Sequence, residues 1–108
     1  MSFLSKALAD GFVATSVGAI FTATADTATY VKSITLGNTN AAEQTVKLYI
    51  NNSGTNRFWR QFTLAQYESA DVLDGAQSII LSDGDSIQAE TTTSSAVAYT
   101  VSGVEETP

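Results

Sequence analysis

Histidine and cysteine are both absent from this chain of 108 residues. Without histidine, a Ser-His-Asp or Cys-His catalytic arrangement is impossible. Without cysteine there is no disulfide framework, thiol nucleophile or thiolate metal site, so stability must come from packing and strand pairing. Charge is scarce as well: charged residues make up 15 % of the chain, against about 25 % in ordinary soluble domains. Thr, Ala, Ser and Asn fill much of the remaining surface, and a surface short of charge is easily dehydrated against a partner.

The bases are few and dispersed. Lys6, Lys32, Lys47, Arg57 and Arg60 face 11 acidic residues, for a net charge of −6. No basic cluster exists beyond Arg57 and Arg60, which excludes nucleic acid as a natural partner and disfavours an anionic membrane surface. No apolar run approaches the ~20 residues that span a bilayer. The opening MSFLSKALADGFVATSVGAIF has the outline of a signal peptide, but Asp10 and Gly11 break its apolar segment, so a protein made in the cytoplasm is expected. The sole proline is Pro108, so no proline interrupts a strand.

What the chain does have is a hydrophobic content of 44 %, enough for one globular core at this length. It also has repeated alternation of apolar and polar residues. In Gln44–Asn51, Val46, Leu48 and Ile50 point one way and Thr45, Lys47 and Tyr49 the other, the period of a strand with one face on a core. Ala28–Gly37 carries Tyr30, Ile34 and Leu36 in phase with Val31 out of phase, which implies a bulge or burial on both faces. Arg57–Leu64 alternates strictly, setting Phe58, Arg60, Phe62 and Leu64 against Arg57, Trp59, Gln61 and Thr63. Shorter runs at Gly11–Thr15, Ala19–Thr24, Tyr67–Leu73, Gln77–Leu81, Asp85–Thr92 and Ala96–Val104 are punctuated by Asn-rich and Gly-rich turns, Asp83-Gly84 the sharpest. About eight short strands at this spacing predict an all-β chain, a single-domain antiparallel β-sandwich of jelly-roll-like type. Met1–Asp10 has slight helical character, with Phe3, Leu4, Ala7 and Leu8 on one face, but is too short to be a stable helix. The predicted organisation is an N-terminal arm over 1–10, a sandwich over 11–104 and an acidic tail over 105–108.

Candidate chemistry is thin. Asp83 and Asp85 flank a turn glycine, where solvated acids normally sit, so a glycosidase-like carboxylate pair is not expected. Ser82–Asp85 and the pair Asp71 and Asp74 offer oxygen ligands, yet calcium needs six to eight oxygens and the twelve-residue calcium loop is missing, so an Asx-type turn is the reading and no metal or cofactor is expected. The densest binding chemistry lies in Arg57-Phe58-Trp59-Arg60-Gln61-Phe62, which holds two of the five bases and the only Trp. Trp and Arg lead among interface hot spots. Trp59 divides evenly between sheet packing and a subunit interface.

In order, VKSITLGNTNAAEQTVKLYI (Val31–Ile50), FTLAQYESADVL (Phe62–Leu73), SDGDSIQAE (Ser82–Glu90) and AYTVSGVEE (Ala98–Glu106) resemble the small β-sandwich virion proteins of tailed bacteriophages and prophages. Val31–Leu36 and Ser102–Glu105 match that pattern closely; Arg57–Gln61 falls outside it. The resemblance implies a non-enzymatic structural protein of the virion, in the first place a capsid decoration (cement) protein. Its partners would be the major capsid protein or other virion proteins and further copies of itself, most simply as a homotrimer on a threefold site. A neck, tail or baseplate adaptor is the alternative within the same class. A carbohydrate or host-receptor binding module centred on Arg57, Trp59 and Arg60 is the alternative outside it. Interface residues expected from the sequence are Phe3, Leu4 and Phe12 in the apolar N-terminal segment, which either reaches a neighbour or folds as an ordinary first strand, together with Arg57, Trp59 and Arg60.

Overall fold

β-branched and aromatic residues in period-two runs, separated by Asn, Gly and Asp, give eight strands among the described residues: β1 (Ser2–Phe12), β2 (Gly18–Thr22), β3 (Ala28–Asn38), β4 (Gln44–Asn52), β5 (Thr55–Leu64), β6 (Ser69–Ser82), β7 (Ser86–Thr91) and β8 (Val97–Thr107). The computed structural model describes the chain except residues 1, 25–27, 53, 83, 94 and 108, and describes the backbone alone at 2–7, 74–78 and 107. Two four-stranded antiparallel sheets form, sheet A in the order β1-β8-β3-β6 and sheet B in the order β2-β7-β4-β5. Every connection except the β4–β5 hairpin crosses from one sheet to the other, which is the double Greek key of a jelly roll.

The inner faces supply one core. Val31, Ile34 and Leu36 of β3, Val46 and Leu48 of β4, Ile87 and Ala89 of β7, and Val97 and Val101 of β8 are all buried in one cluster. Two polar side chains join them at one end of the sandwich. Asn38 donates through Nδ2 to the carbonyls of Ala42, Leu64 and Ala65 at 2.9, 3.1 and 3.0 Å, while its Oδ1 accepts from the Asn40 amide at 2.9 Å. Gln44 accepts through Oε1 from Thr92 Oγ1 at 2.8 Å and from the Thr93 amide at 3.1 Å. Buried amides stay only where their partners are supplied, and here they tie the β3–β4, β5–β6 and β7–β8 connections into one frame.

The structure corrects several local readings. Residues 2–10 are extended rather than helical: β1 runs antiparallel to β8 from Ser2↔Thr107 to Phe12↔Ala98, so the expected arm and the expected acidic tail are the two halves of one ladder on the same subunit. The strand expected over Gly11–Thr15 ends at Phe12. The runs Tyr67–Leu73 and Gln77–Leu81 are one strand, β6, which keeps its place beside β3 through a register irregularity: Val31 pairs with Ile79 and Ser33 with Asp74. Both runs stay extended because β3 pairs with each of them, on either side of the irregularity, which a local turn signal in the sequence does not reveal.

Bulges set which side chains face in. In β3 the register with β8 steps from Val31↔Gly103 to Ser33↔Ser102, leaving Lys32 as the extra residue. This puts Val31 inward with Ile34 and Leu36, and turns Tyr30 outward. Gly103 is demanded there: a Cβ on it would fall onto the Tyr30 carbonyl oxygen and press on the Val31 Cα. In β5 the register with β4 steps from Leu48↔Arg60 to Tyr49↔Phe58, so Trp59 is the extra residue and the strict alternation expected across Arg57–Leu64 is broken.

Candidate functional site

The middle of the outer face of sheet A is built from short side chains. Ladder partners share a face, so the rows Thr35–Thr100–Asp10, Ser33–Ser102 and Gly37–Ala98–Phe12 lie side by side on it. Tyr30 stands out of this surface with Val104 and Ile80 as its cross-strand neighbours. Its hydroxyl donates to Glu106 Oε2 at 3.2 Å, and that hydrogen bond, with the carboxylate charge behind it, raises the Tyr30 pKa above the ordinary 10.0. Where β1 bulges between Ala7 and Ala9, a recess of about 290 Å3 opens beside Leu8, Ala9, Asp10, Thr100, Val101 and Ser102.

The outer face of sheet B differs in kind. Tyr49 and Phe58 meet edge to face with ring centres 6.0 Å apart, the geometry their ring quadrupoles favour. The Tyr49 hydroxyl donates to Glu90 Oε2 at 2.8 Å, which raises its pKa in the same way. Around the rings stand amides: Asn51 donates through Nδ2 to Asn56 Oδ1 at 2.7 Å, and Gln88 through Nε2 to Ser86 Oγ at 2.9 Å. Lys47 pairs in register with Glu90 on one side and Gln61 on the other. A shallow depression of about 100 Å3 lies between Thr45, Lys47, Glu90, Thr91 and Thr92.

The residues expected at interfaces lie on two strands, β1 and β5, in different sheets. Phe3 and Leu4 lie on β1 opposite Glu106 and Glu105, and their side chains are outside the described part of the structure. Phe12 ends β1, 54 % exposed, on the sheet A edge that neighbours β2. Arg57, Trp59 and Arg60 lie on β5, the far edge of sheet B. Arg57 is exposed beside the hairpin turn, whereas Trp59 is half-buried against the core. Arg60 sits over the Phe62 ring at 5.3 Å and sends Nη1 across the open side of the sandwich to the Val72 carbonyl at 3.1 Å. Val72 is itself a bulged residue of β6, between Ile34↔Leu73 and Thr35↔Asp71. Arg60 thus braces two sheet edges.

Ser82 and Asp85 close the β6–β7 turn, the Asp85 amide donating to the Ser82 carbonyl at 3.0 Å and Asp85 Oδ2 accepting from the Ser82 amide at 3.4 Å, a bond three residues back and not the two residues on of the expected Asx-type turn; Asp83 is outside the described residues. No group of three or more acidic side chains placed to hold a metal gathers among the described residues. A recess of about 410 Å3 is the open groove between the β1 and β2 edges, lined by Leu8, Ala9, Phe21, Thr22 and Glu105 among others.

Fold and surface together define a jelly-roll β-sandwich with two contrasting outer faces. No family model matches the chain, and no curated protein matches it. Among solved structures it is similar to a chain of the Bacillus endospore appendages, described as a novel family of disulfide-linked pili, with a TM-score of 0.52 and 14 % identity over 98 % of this chain and 88 % of that one. At that identity the likeness speaks to the fold.

Proposed function

We propose that this protein is a structural component of a tailed-phage virion, a decoration protein that binds a capsid shell noncovalently and holds neighbouring shell subunits together. It works by contact area and not by catalysis. The observation that carries this reading is the outer face of sheet A: Ser33, Thr35, Gly37, Ala98, Thr100 and Ser102 form a patch of short side chains that lose little entropy on burial, Phe12, Tyr30 and Ile80 project around it, and a recess lies ready to receive a protruding side chain from the shell. Jelly rolls are recurrent in viral shells, and the order of motifs from Val31 to Glu106 supports the same class. The similar Bacillus appendages are disulfide-linked pili; a chain with no cysteine assembles without such links. Copies associate as a trimer, matching the threefold sites of an icosahedral shell.

The experiment is reconstitution. Purified protein is added to phage heads lacking a decoration protein, and bound copies and resistance to heat and chelator are measured. Saturable binding in multiples of three, with raised resistance, is the expected result. Heads that bind nothing, or bind and disassemble at an unchanged temperature, would overturn the proposal.

A further inference from the structure

Sheet B's outer face goes beyond the shell-binding reading and is independent of it. Strict alternation along β5 would place Phe58 on the inner side with Arg60, Phe62 and Leu64. The extra residue Trp59 reverses that, and Phe58 emerges opposite Tyr49, 60 % exposed to water. A bulge that turns a phenylalanine outward is a device for aiming a side chain, because burial would otherwise favour the inner position.

What surrounds the ring says what it is aimed at. The row Ala19–Gln88–Tyr49–Phe58 crosses the whole sheet, and the next row toward the hairpin is Thr22–Ser86–Asn51–Asn56. Each amide has two donor hydrogens and two acceptor lone pairs, so one side-chain bond apiece leaves capacity for a ligand. Tyr49 is fixed in place by Glu90 and presents its ring against Phe58. Lys47 and Glu90, register partners, balance each other on this face although the chain as a whole carries −6. From Gln88 to Phe58 is two inter-strand spacings, about 10 Å, or about two sugar residues.

We infer that the outer face of sheet B, with Phe58 and Tyr49 as the stacking platform and Asn51, Asn56 and Gln88 as hydroxyl partners, is a binding site for a neutral oligosaccharide chain. A pyranose has an apolar C–H face and a rim of hydroxyls that both donate and accept. Phe58 covers the first and the amides satisfy the second, while the balanced Lys47 and Glu90 offer nothing to a strongly charged ligand. Arg57, Trp59 and Arg60 do not form this site: Trp59 supplies the bulge, and Arg60 braces the sheet edges.

The test uses the full-length protein, an array of neutral glycans, and cello-, malto-, xylo-, manno- and chitohexaose in solution, followed by amide chemical shifts. At least one neutral glycan is expected to bind, with shifts centred on Asn51, Asn56, Phe58 and Gln88. Phe58→Ala is expected to weaken it at least about tenfold and Gln88→Ala to weaken it several-fold. Tyr49→Phe, which keeps the ring, should retain binding, and Thr100→Arg on sheet A should leave it unchanged. Because Phe58 is solvent-exposed, Phe58→Ala leaves the fold intact, and an unaltered unfolding midpoint verifies that. No neutral glycan bound, shifts centred on the β1–β2 groove, or affinity indifferent to Phe58→Ala would each overturn the site. So would loss of self-association or of shell binding on Phe58→Ala, because the ring would then be a protein contact.

Discussion

The two outer faces of this sandwich are made by the same kind of sheet, yet one is centred on short Ser, Thr, Ala and Gly side chains with Phe12, Tyr30 and Ile80 around them, and the other is aromatic and amide-rich. Each carries one tyrosine whose hydroxyl is held by a glutamate, Tyr30 by Glu106 on sheet A and Tyr49 by Glu90 on sheet B. Each is shaped by a bulge. On sheet A the bulge at Lys32 swings Val31 into the core, and the ladder closes over Gly103. On sheet B the bulge at Trp59 swings Phe58 out to solvent. The same backbone irregularity thus serves packing on one face and presentation on the other.

That contrast can be broken at several points. The largest effect is expected from Gly103→Ala, since the new methyl meets β3 backbone and not a yielding side chain. A loss of about 3 kcal/mol in urea unfolding is expected, and a loss under about half a kcal/mol would show that the Lys32 bulge is not a packing constraint. Next comes the frame both faces stand on. Asn38→Ala removes the donor to three carbonyls at the end of the sandwich and should cost about 2 kcal/mol, with hydrogen exchange speeding up in the β5–β6 connection. Unchanged exchange there would mean the loops hold without it.

The faces are then separated directly. Thr100→Arg puts a long charged side chain in the middle of sheet A's outer face, and should weaken binding to a capsid shell about tenfold while leaving the unfolding midpoint in place. Shell binding that survives Thr100→Arg but falls with Phe58→Ala would reverse the assignment of the two faces.

Alkaline titration compares the tyrosines. Tyr30 and Tyr49 hold their protons above the ordinary value of 10.0 because each donates to a carboxylate. In the unfolded chain that donation is lost, so the folded state binds these protons more tightly. The associated stabilisation is complete below the ordinary value and fades as pH rises through the higher folded one. Tyrosinate absorbance followed against pH should show one late-titrating group lost in Tyr49→Phe and another in Tyr30→Phe. If neither variant removes a late step, the two Tyr–Glu pairs are not formed in solution. The smallest effect is that of Phe58→Ala on stability, within about 0.5 kcal/mol of the parent. A larger loss would mean that the ring is a packing element.

Much of the architecture was legible in the sequence. Val46, Leu48 and Ile50 announce β4 because a buried face forces a period of two, and the Asn, Gly and Asp clusters mark the turns because few other residues tolerate their backbone angles. Val31, out of phase with Tyr30, already signalled the bulge in β3. Residues 2–10 were left between an arm and an ordinary first strand, because the partner that settles them, β8, lies about a hundred residues away. The aromatic strand was legible as a binding candidate, but its strict alternation concealed the bulge. Phe58 was therefore set on one face with Arg60, Phe62 and Leu64, and Trp59 and Arg60 were weighted above it.

By itself, then, the sequence determined an all-β sandwich without histidine or thiol chemistry, since composition and periodicity are local properties of the chain. The jelly-roll order, the joining of the two chain ends in one ladder, and the direction of Phe58 were decided by tertiary structure. Each depends on which strand lies beside which and in what register, and a single extra residue against a neighbouring strand reverses the side on which every following side chain emerges.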